Sequence, residues 1–355
     1  MSDRRRHVTP SGDPHHRQMP GGMSTRRLVA GGLAGALLLT GCGAQDAQDA
    51  LVGIKAAPAE RTQSAPLDPE GATAIAARLV AAAEAPVEGD AKAAAKARAQ
   101  VLAGDALTVA NAQAARAPKP VTTTELAAPR PPTVVAQSAG RAWPRAILAA
   151  TLDEDTNTQF LHVLMSQKPE EPFRITASVP MFGGAELPAL GDSTNGAPLL
   201  DTATKDGLAL APAAAVAAYA AALAHPKPKA TEVVAVDDPF ATGLRTTAAA
   251  QTKALGKLGT LTQVHAPLLE NAVTFRLADG GAVTFGLLRR TDTIAVKPTA
   301  KELVLPAEYA KVTGKKKVTK ALTLQNLQPF VMVVPPTGKA QVIGATELLV
   351  SGKGQ

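Results

Sequence analysis

Two stretches of the chain carry apolar positions at helical spacing, and each is followed by runs that alternate with period two. In the first stretch Asp68-Pro69-Glu70 supplies an N-cap, a first-turn proline and an acid at the positive helix end. Ile75 and Leu79 follow at i, i+4 in an Ala-rich helix to about Ala85, and Pro86 to Gly89 break it. A second helix is expected from about Ala91 to Ala103, with Gly104-Asp105 as its end. Residues 117–140, rich in Pro, Thr and Ala, suit an edge strand and a loop. Arg145 to Leu152, Gln159 to Met165 and Pro172 to Val179 then read as strands, with turns at Asp153 to Thr156 and Lys168 to Glu171. After a Gly/Pro/Asp-rich segment, Gly183 to Asp206, the order repeats. Pro212 opens an Ala-rich helix with Val216, Tyr219 and Leu223 on one face, ended by His225-Pro226-Lys227-Pro228. Asp238-Pro239 opens another, with Phe240, Leu244, Leu255 and Leu258 on one face, and strands continue to the C-terminus.

One hairpin can be read in register. Val273, Phe275 and Leu277 alternate, as do Val283, Phe285 and Leu287. A two-residue Asp279-Gly280 turn would put the two apolar sets on opposite faces. A three-residue loop, Asp279-Gly280-Gly281, pairs Leu277 with Val283 and Phe275 with Phe285 and buries one face. The three-residue loop is the expectation, with the helix from Pro212 to Leu223 laid over that face. Leu327 to Val334 and Ala340 to Val350 complete the strands, joined by Pro335-Pro336-Thr337-Gly338. Helices followed by an antiparallel sheet, twice over, make an α+β pattern with domains at 67–182 and 211–350 and a linker at 183–210.

The N-terminus changes the picture more than the body does. Arg26-Arg27 precede a 13-residue apolar run, Leu28 to Thr40. That run is too short to span a bilayer core of roughly 30 Å, which takes about 20 helical residues, and a basic segment before it reads as a secretory signal. The run ends Leu39-Thr40-Gly41-Cys42, which resembles a bacterial lipobox. The resemblance implies that the Cys42 thiol receives a diacylglyceryl group and that cleavage before it makes Cys42 the first mature residue, so 1–41 is a signal peptide and 42–66 a lipidated tether. Ser24-Thr25-Arg26-Arg27-Leu28-Val29 partly resembles a twin-arginine signal, with Val29 where that signal usually has Phe, and the ordinary secretory route stays equally open. Met1 and Met23 are both open as the start, which would leave residues 1–22 upstream. Six of the arginines lie in residues 1–41 with only two acids. The formal +7 of the whole chain therefore falls to +3 for the remainder, which does not suit a dedicated nucleic-acid binder. One cysteine excludes a disulfide framework, and 3% aromatic residues argue against a base- or sugar-stacking groove.

The lipobox, the Ala-rich body, Arg141-Ala142-Trp143-Pro144-Arg145 and Asp237-Asp238-Pro239-Phe240 are similar to lipoproteins of high-GC Gram-positive bacteria. The element order resembles tandem nuclear transport factor 2-like domains, over roughly residues 65–350. The resemblance implies two cone-shaped domains, each a curved antiparallel sheet closed on one side by helices. It implies no particular activity, because that fold hosts isomerases, dehydratases and many non-catalytic binding proteins.

Candidate chemistry is sparse. His162, His225 and His265 lack the i, i+4 spacing of a helical metal pair and suit structural roles, and no nucleophile elbow accompanies them. Asp237-Asp238 suits a helix cap better than a catalytic pair, and Asp153-Glu154-Asp155 a solvated turn better than a calcium loop, since the following Gly and distal Glu are missing. Tyr219, on the apolar helix face, Trp143, before Pro144, and His265 are the candidates for lining a ligand pocket, with a core role the alternative for each. Lys315-Lys316-Lys317 and Lys320 form the densest basic cluster, a solvated loop or, on a tethered protein, a contact with anionic headgroups. No catalytic residue, metal site or cofactor is expected. The sequence suits a lipid-anchored, extracytoplasmic, non-catalytic module that binds an envelope protein, lipid or wall component and no nucleic acid. The alternative is a small cone-fold enzyme using acid/base chemistry on an apolar substrate.

Overall fold

Aspartates set the starts of three helices. In the computed structural model, which describes residues 64–85, 90–116, 131–191 and 195–355, Asp68 caps α1 (Pro69–Glu84), its Oδ1 accepting from Gly71 N at 2.7 Å. Asp90 caps α2 (Ala91–Val101) through Ala93 N at 2.8 Å. Gly104, expected to end α2, instead opens a third helix, α3 (Gly104–Arg116). It adopts φ +52, a left-handed conformation that lets the chain turn sharply between the two helices, and Asp105 then sits in the favourable first turn.

Four strands follow: β1 (Thr133–Gln137), β2 (Arg145–Asp153), β3 (Thr158–Ser166) and β4 (Arg174–Pro180). They form an antiparallel meander in chain order, sheet I, with β1 as the expected edge strand. After β5 (Leu199–Leu200) come α4 (Pro212–Ala222) and α5 (Pro239–Leu255), the latter capped by Asp238 through Ala241 N at 2.8 Å. Leu258, expected on the α5 face, lies beyond the helix and is exposed. The remaining elements are β6 (Gly259–Arg276), β7 (Ala282–Val296), β8 (Leu303–Val304), α6 (Ala307–Thr313), β9 (Lys317–Val318), β10 (Ala321–Val334), β11 (Gln341–Ala345) and β12 (Leu348–Gly354). Sheet II runs β11-β10-β7-β6-β5 with β12 also on β10, and β8 pairs with β9. The fold is α+β.

The β6–β7 hairpin has a three-residue loop, one position earlier than expected. Leu277 N donates to the Gly281 carbonyl at 2.8 Å, so Ala278-Asp279-Gly280 form the loop, and Gly280 takes the positive φ of +86. Phe275 faces Val283 and Val273 faces Phe285. The slip amounts to two residues in register, so every side chain keeps its face.

What covers that face differs from expectation. Val273, Phe275, Leu277, Val283 and Phe285 share a core with Leu148, Leu161 and Val163 of sheet I, so the two sheets pack face to face. The α4 residues Val216 and Tyr219, with Leu223 at its C-cap, lie on the opposite face of sheet II, against Leu288, Phe330, Met332 and Val334. On the outer face of sheet I, Ala72, Ala76, Leu79 and Val80 of α1 pack on Ile147, Ala149, Leu164 and Ile175. The result is four layers: helices, sheet I, sheet II, helices. A fourth core, with Leu261, Ile294, Leu303, Val318 and Leu322, closes the far ends of the long strands.

This layering corrects the expected division into domains at 67–182 and 211–350. Residues 60–355 form one compact unit. The segment 183–210 is built into it: β5 pairs with β6, Ala197 bridges to Ser138 just after β1, and Ala197 and Leu208 are buried. The physical reason is that both sheets are apolar on both faces. Phe330 to Val334 is a continuous buried run, which needs a cover on each side. At Gly344 the sheets approach so closely that a Cβ would collide with the Pro180 carbonyl.

Candidate functional site

The Ala-rich composition of α1 and α3 leaves space over the outer face of sheet I. Ala83, Ala106 and Ala110 present only methyl groups to this space, and a cleft of about 780 Å³ opens between these helices and β2, β3 and β4. It closes against sheet II at Gly286, Pro329 and Thr346. Val80, Leu102, Val109, Phe160 and Ile175 supply apolar wall, and Asp153-Glu154-Asp155 lie at one side.

Strand alternation places the polar groups. Thr151 on β2, His162 on β3 and Ser178 on β4 point from the same face, His162 lying opposite Ser178 in the β3–β4 register. His162 is buried, its Nε2 lies 2.8 Å from Thr151 Oγ1, and its Nδ1 has no hydrogen-bond partner among the described residues. Phe160 stacks nearly parallel beside it, centroids 6.4 Å apart. Burial lowers the His162 pKa to about 4, so the imidazole is neutral at pH 7.

Asp105 enters from the first turn of α3, 6% exposed, its Oδ1 accepting from Asn271 Nδ2 at 3.1 Å. Asn271 sits where β6 bulges between Leu268 and Val273, so sheet II reaches across to orient an acid carried by a helix. Burial pushes the Asp105 pKa up to about 6, opposed by the Asn271 hydrogen bond and helped by the charge of Glu270. Burial also raises Glu84, at the end of α1.

These shifts have opposite consequences for stability. Asp105 binds its proton more tightly when folded, so its contribution is full below the unfolded value near 3.8 and is lost as pH rises through about 6. His162 holds its proton less tightly when folded, so its contribution is full above 6.5 and is lost as pH falls toward about 4. Asp105→Asn keeps an acceptor for Asn271 without the charge. It is expected to stabilise the protein at pH 7.5, by about 3 kcal/mol at most, with the gain vanishing near pH 4. Thermal melts across that range check it; a gain independent of pH would contradict the assignment.

The three pocket candidates from sequence, Tyr219, Trp143 and His265, lie elsewhere and apart from one another. Tyr219 is 1% exposed and its hydroxyl donates to Asp238 Oδ2 at 2.9 Å. The Asp238 carboxyl thus caps α5 and fastens α4 to it, and burial raises both groups' pKa values. A second cavity, about 560 Å³, touches Asp237 and Asp238 but not Tyr219. Trp143 is half-buried before β2, with the Arg145 guanidinium 4.3 Å above its ring. His265 is buried in a polar network under the helix face of sheet II. Its Nδ1 meets Gln328 Oε1 at 2.9 Å, Gln328 Nε2 donates to Glu347, and Arg290 joins Glu347 to Asp292. Burial lowers the His265 pKa to about 4, the Gln328 bond opposing and the Arg290 charge adding. Cys42 lies outside the described residues. Asp153 Oδ1 accepts from the backbone of Asp155 and Thr156, the geometry of a turn. Among the described residues no three His, Cys, Asp or Glu gather to hold a metal ion.

Two of the polar groups lining the cleft are expected from sequence in other roles, Asp105 as a helix end and His162 as structural. The signal for His162 was present: Phe160 to Met165 is a run of strand residues covered on both sides, and one polar ring within it marks an outer face that is not sealed by apolar contact.

A family model described as a domain of unknown function (DUF8094) matches residues 77–354. The chain belongs to this family. The DUF8094 match spans both sheets and the second half of α1, so the family unit contains both sheets and the residues that line the cleft. No curated protein and no solved structure matches this DUF8094 chain.

Proposed function

We propose that the protein is a lipid-anchored, extracytoplasmic binding protein that holds its ligand without transforming it. The cleft over sheet I carries the reading. Its volume lies in the range of small-molecule sites, about 300–1,000 Å³, its walls are mostly apolar, and a few buried polar groups converge in it. Among the described residues, carboxyl groups line it and neither lysine nor arginine does, which suits an amphiphile with a neutral or cationic polar end. The anchor rests on Leu39-Thr40-Gly41-Cys42 after its short apolar run. No helix among the described residues is long and apolar enough to cross a membrane.

The test is titration of residues 60–355, the compact unit, with a dansylated long-chain alkylamine. Wild-type protein is expected to give a saturable fluorescence rise. Ala110→Trp, which fills the cleft from α3, is expected to abolish it while the melting temperature stays within a few degrees. Identical titrations for the two proteins would overturn the reading.

One observation favours the alternative, an acid/base enzyme. Asp105 and His162 line one cleft with pKa values moved toward and past each other, to about 6 and about 4. Between those values a protonated carboxyl and a neutral imidazole coexist, as an acid and a base would. Turnover of a bound ligand, lost in both Asp105→Asn and His162→Gln, would establish that reading in place of simple binding.

A further inference from the structure

We propose that the far end of sheet II is a membrane-docking surface that recognises anionic lipid headgroups. Residues 253–259 and 295–320 contain nine lysines against two acids, Glu302 and Glu308. The remainder of the mature chain is correspondingly acidic, so a net charge of only +3 hides a strongly polarised molecule.

The fold gathers these segments at one end. Lys297 N donates to the Leu258 carbonyl and its Nζ to the Gly256 carbonyl, while Thr299 Oγ1 donates to the Lys257 carbonyl. Val296 N donates to the Lys320 carbonyl, and Leu305 N to that of Lys316. The C-terminus of α5, the end of β7, the β8–β9 ribbon and the start of β10 are thereby tied together by their backbones. Lys257, Lys315, Lys316 and Lys320 are exposed there.

An independent observation separates a lipid surface from a merely solvated basic face. Two exposed large apolar residues stand at this same end. Leu258, 48% exposed, follows Lys257 and is joined to Lys297. Val304, 71% exposed, is paired across the β8–β9 ribbon with Lys317. Exposed lysines and exposed apolar side chains at one end match the two layers of a bilayer interface, phosphate outside and acyl chain within. A nucleic acid offers the phosphates but nothing for the apolar residues to enter.

The surface does not depend on Cys42, so it is tested without the anchor, on residues 60–355, and failure here leaves the anchor reading untouched. Co-sedimentation is measured with phosphatidylcholine vesicles, with vesicles containing about one-third phosphatidylglycerol, and with duplex DNA as a competing polyanion. Wild-type protein is expected to bind the anionic vesicles at least about tenfold better than the neutral ones and to release them in about 1 M salt. Lys315→Gln/Lys316→Gln/Lys320→Gln is expected to lose about tenfold or more of that binding. Leu258→Ser/Val304→Ser, at exposed positions, is expected to weaken vesicle binding severalfold with unchanged melting temperature, and it decides the matter if the lysine variant folds poorly. Equal binding to both kinds of vesicle, no binding, or an apolar variant that behaves as wild type while DNA binds as well as vesicles would each overturn the proposal.

Discussion

Phe285→Ala is expected to lower the free energy of unfolding by about 3–5 kcal/mol, the cost of truncating a buried aromatic. Phe285 is 1% exposed and stands on β7 between Val273 of β6 and Val331 of β10. Its ring meets Phe275 edge-on, centroids 6.5 Å apart, and the same core holds Leu148, Leu161 and Val163 of sheet I. The cavity would open between the sheets, where neither layer can collapse without moving the other. Phe285→Leu, which keeps most of the volume, is expected to cost less than about 1.5 kcal/mol. Because both halves of the chain own this core, wild-type and Phe285→Ala proteins should each unfold in urea as one cooperative transition. An unchanged midpoint, or two separated transitions with only one moved, would contradict the shared core.

Cys42→Ala is expected to abolish stable, lipid-anchored membrane attachment. The proposed anchor is a thioether between the Cys42 sulfur and a diacylglyceryl group, and alanine has no atom with which to form it. Two acyl chains hold a protein stably where one holds it marginally, at about 0.8 kcal/mol per buried CH₂. The basic end of sheet II should supply only weak, salt-sensitive residual binding. Detergent phase partition checks this: wild-type protein belongs in the detergent phase and Cys42→Ala in the aqueous phase or with an uncleaved N-terminus. Wild-type protein in the aqueous phase with a free Cys42 thiol would remove the anchor from the account.

The elements were legible where a local rule acts alone. Asp68-Pro69 and Asp238-Pro239 announce helix starts because capping needs only the residues that do it, and both aspartates cap as read. The hairpin faces were legible because alternation sets them, while its register was not. Gly280 and Gly281 both suit a positive φ, and only packing chose Gly280. The layering was not legible, because a run such as Phe330 to Val334 is equally consistent with a strand covered by a helix and a sheet or with any other double cover. Sequence therefore suggested two separate sheets with one face each, and the structure pairs their spare faces. The cleft was invisible for a related reason. It is a space left by alanines, and an alanine-rich helix reads the same whether its neighbours fill the gap or leave it. Asp105 shows the limit most plainly: its partner Asn271 is 166 residues away, brought to it by a bulge that no local pattern specifies.

Native mass spectrometry of protein extracted from membranes tests the central claim most directly. The account predicts a chain beginning at Cys42 with a covalent lipid increment, carrying a non-covalent small-molecule adduct that Ala110→Trp protein, extracted in the same way, lacks. A chain that retains residues 1–41 with an unmodified Cys42, or an adduct that Ala110→Trp carries equally, would contradict it.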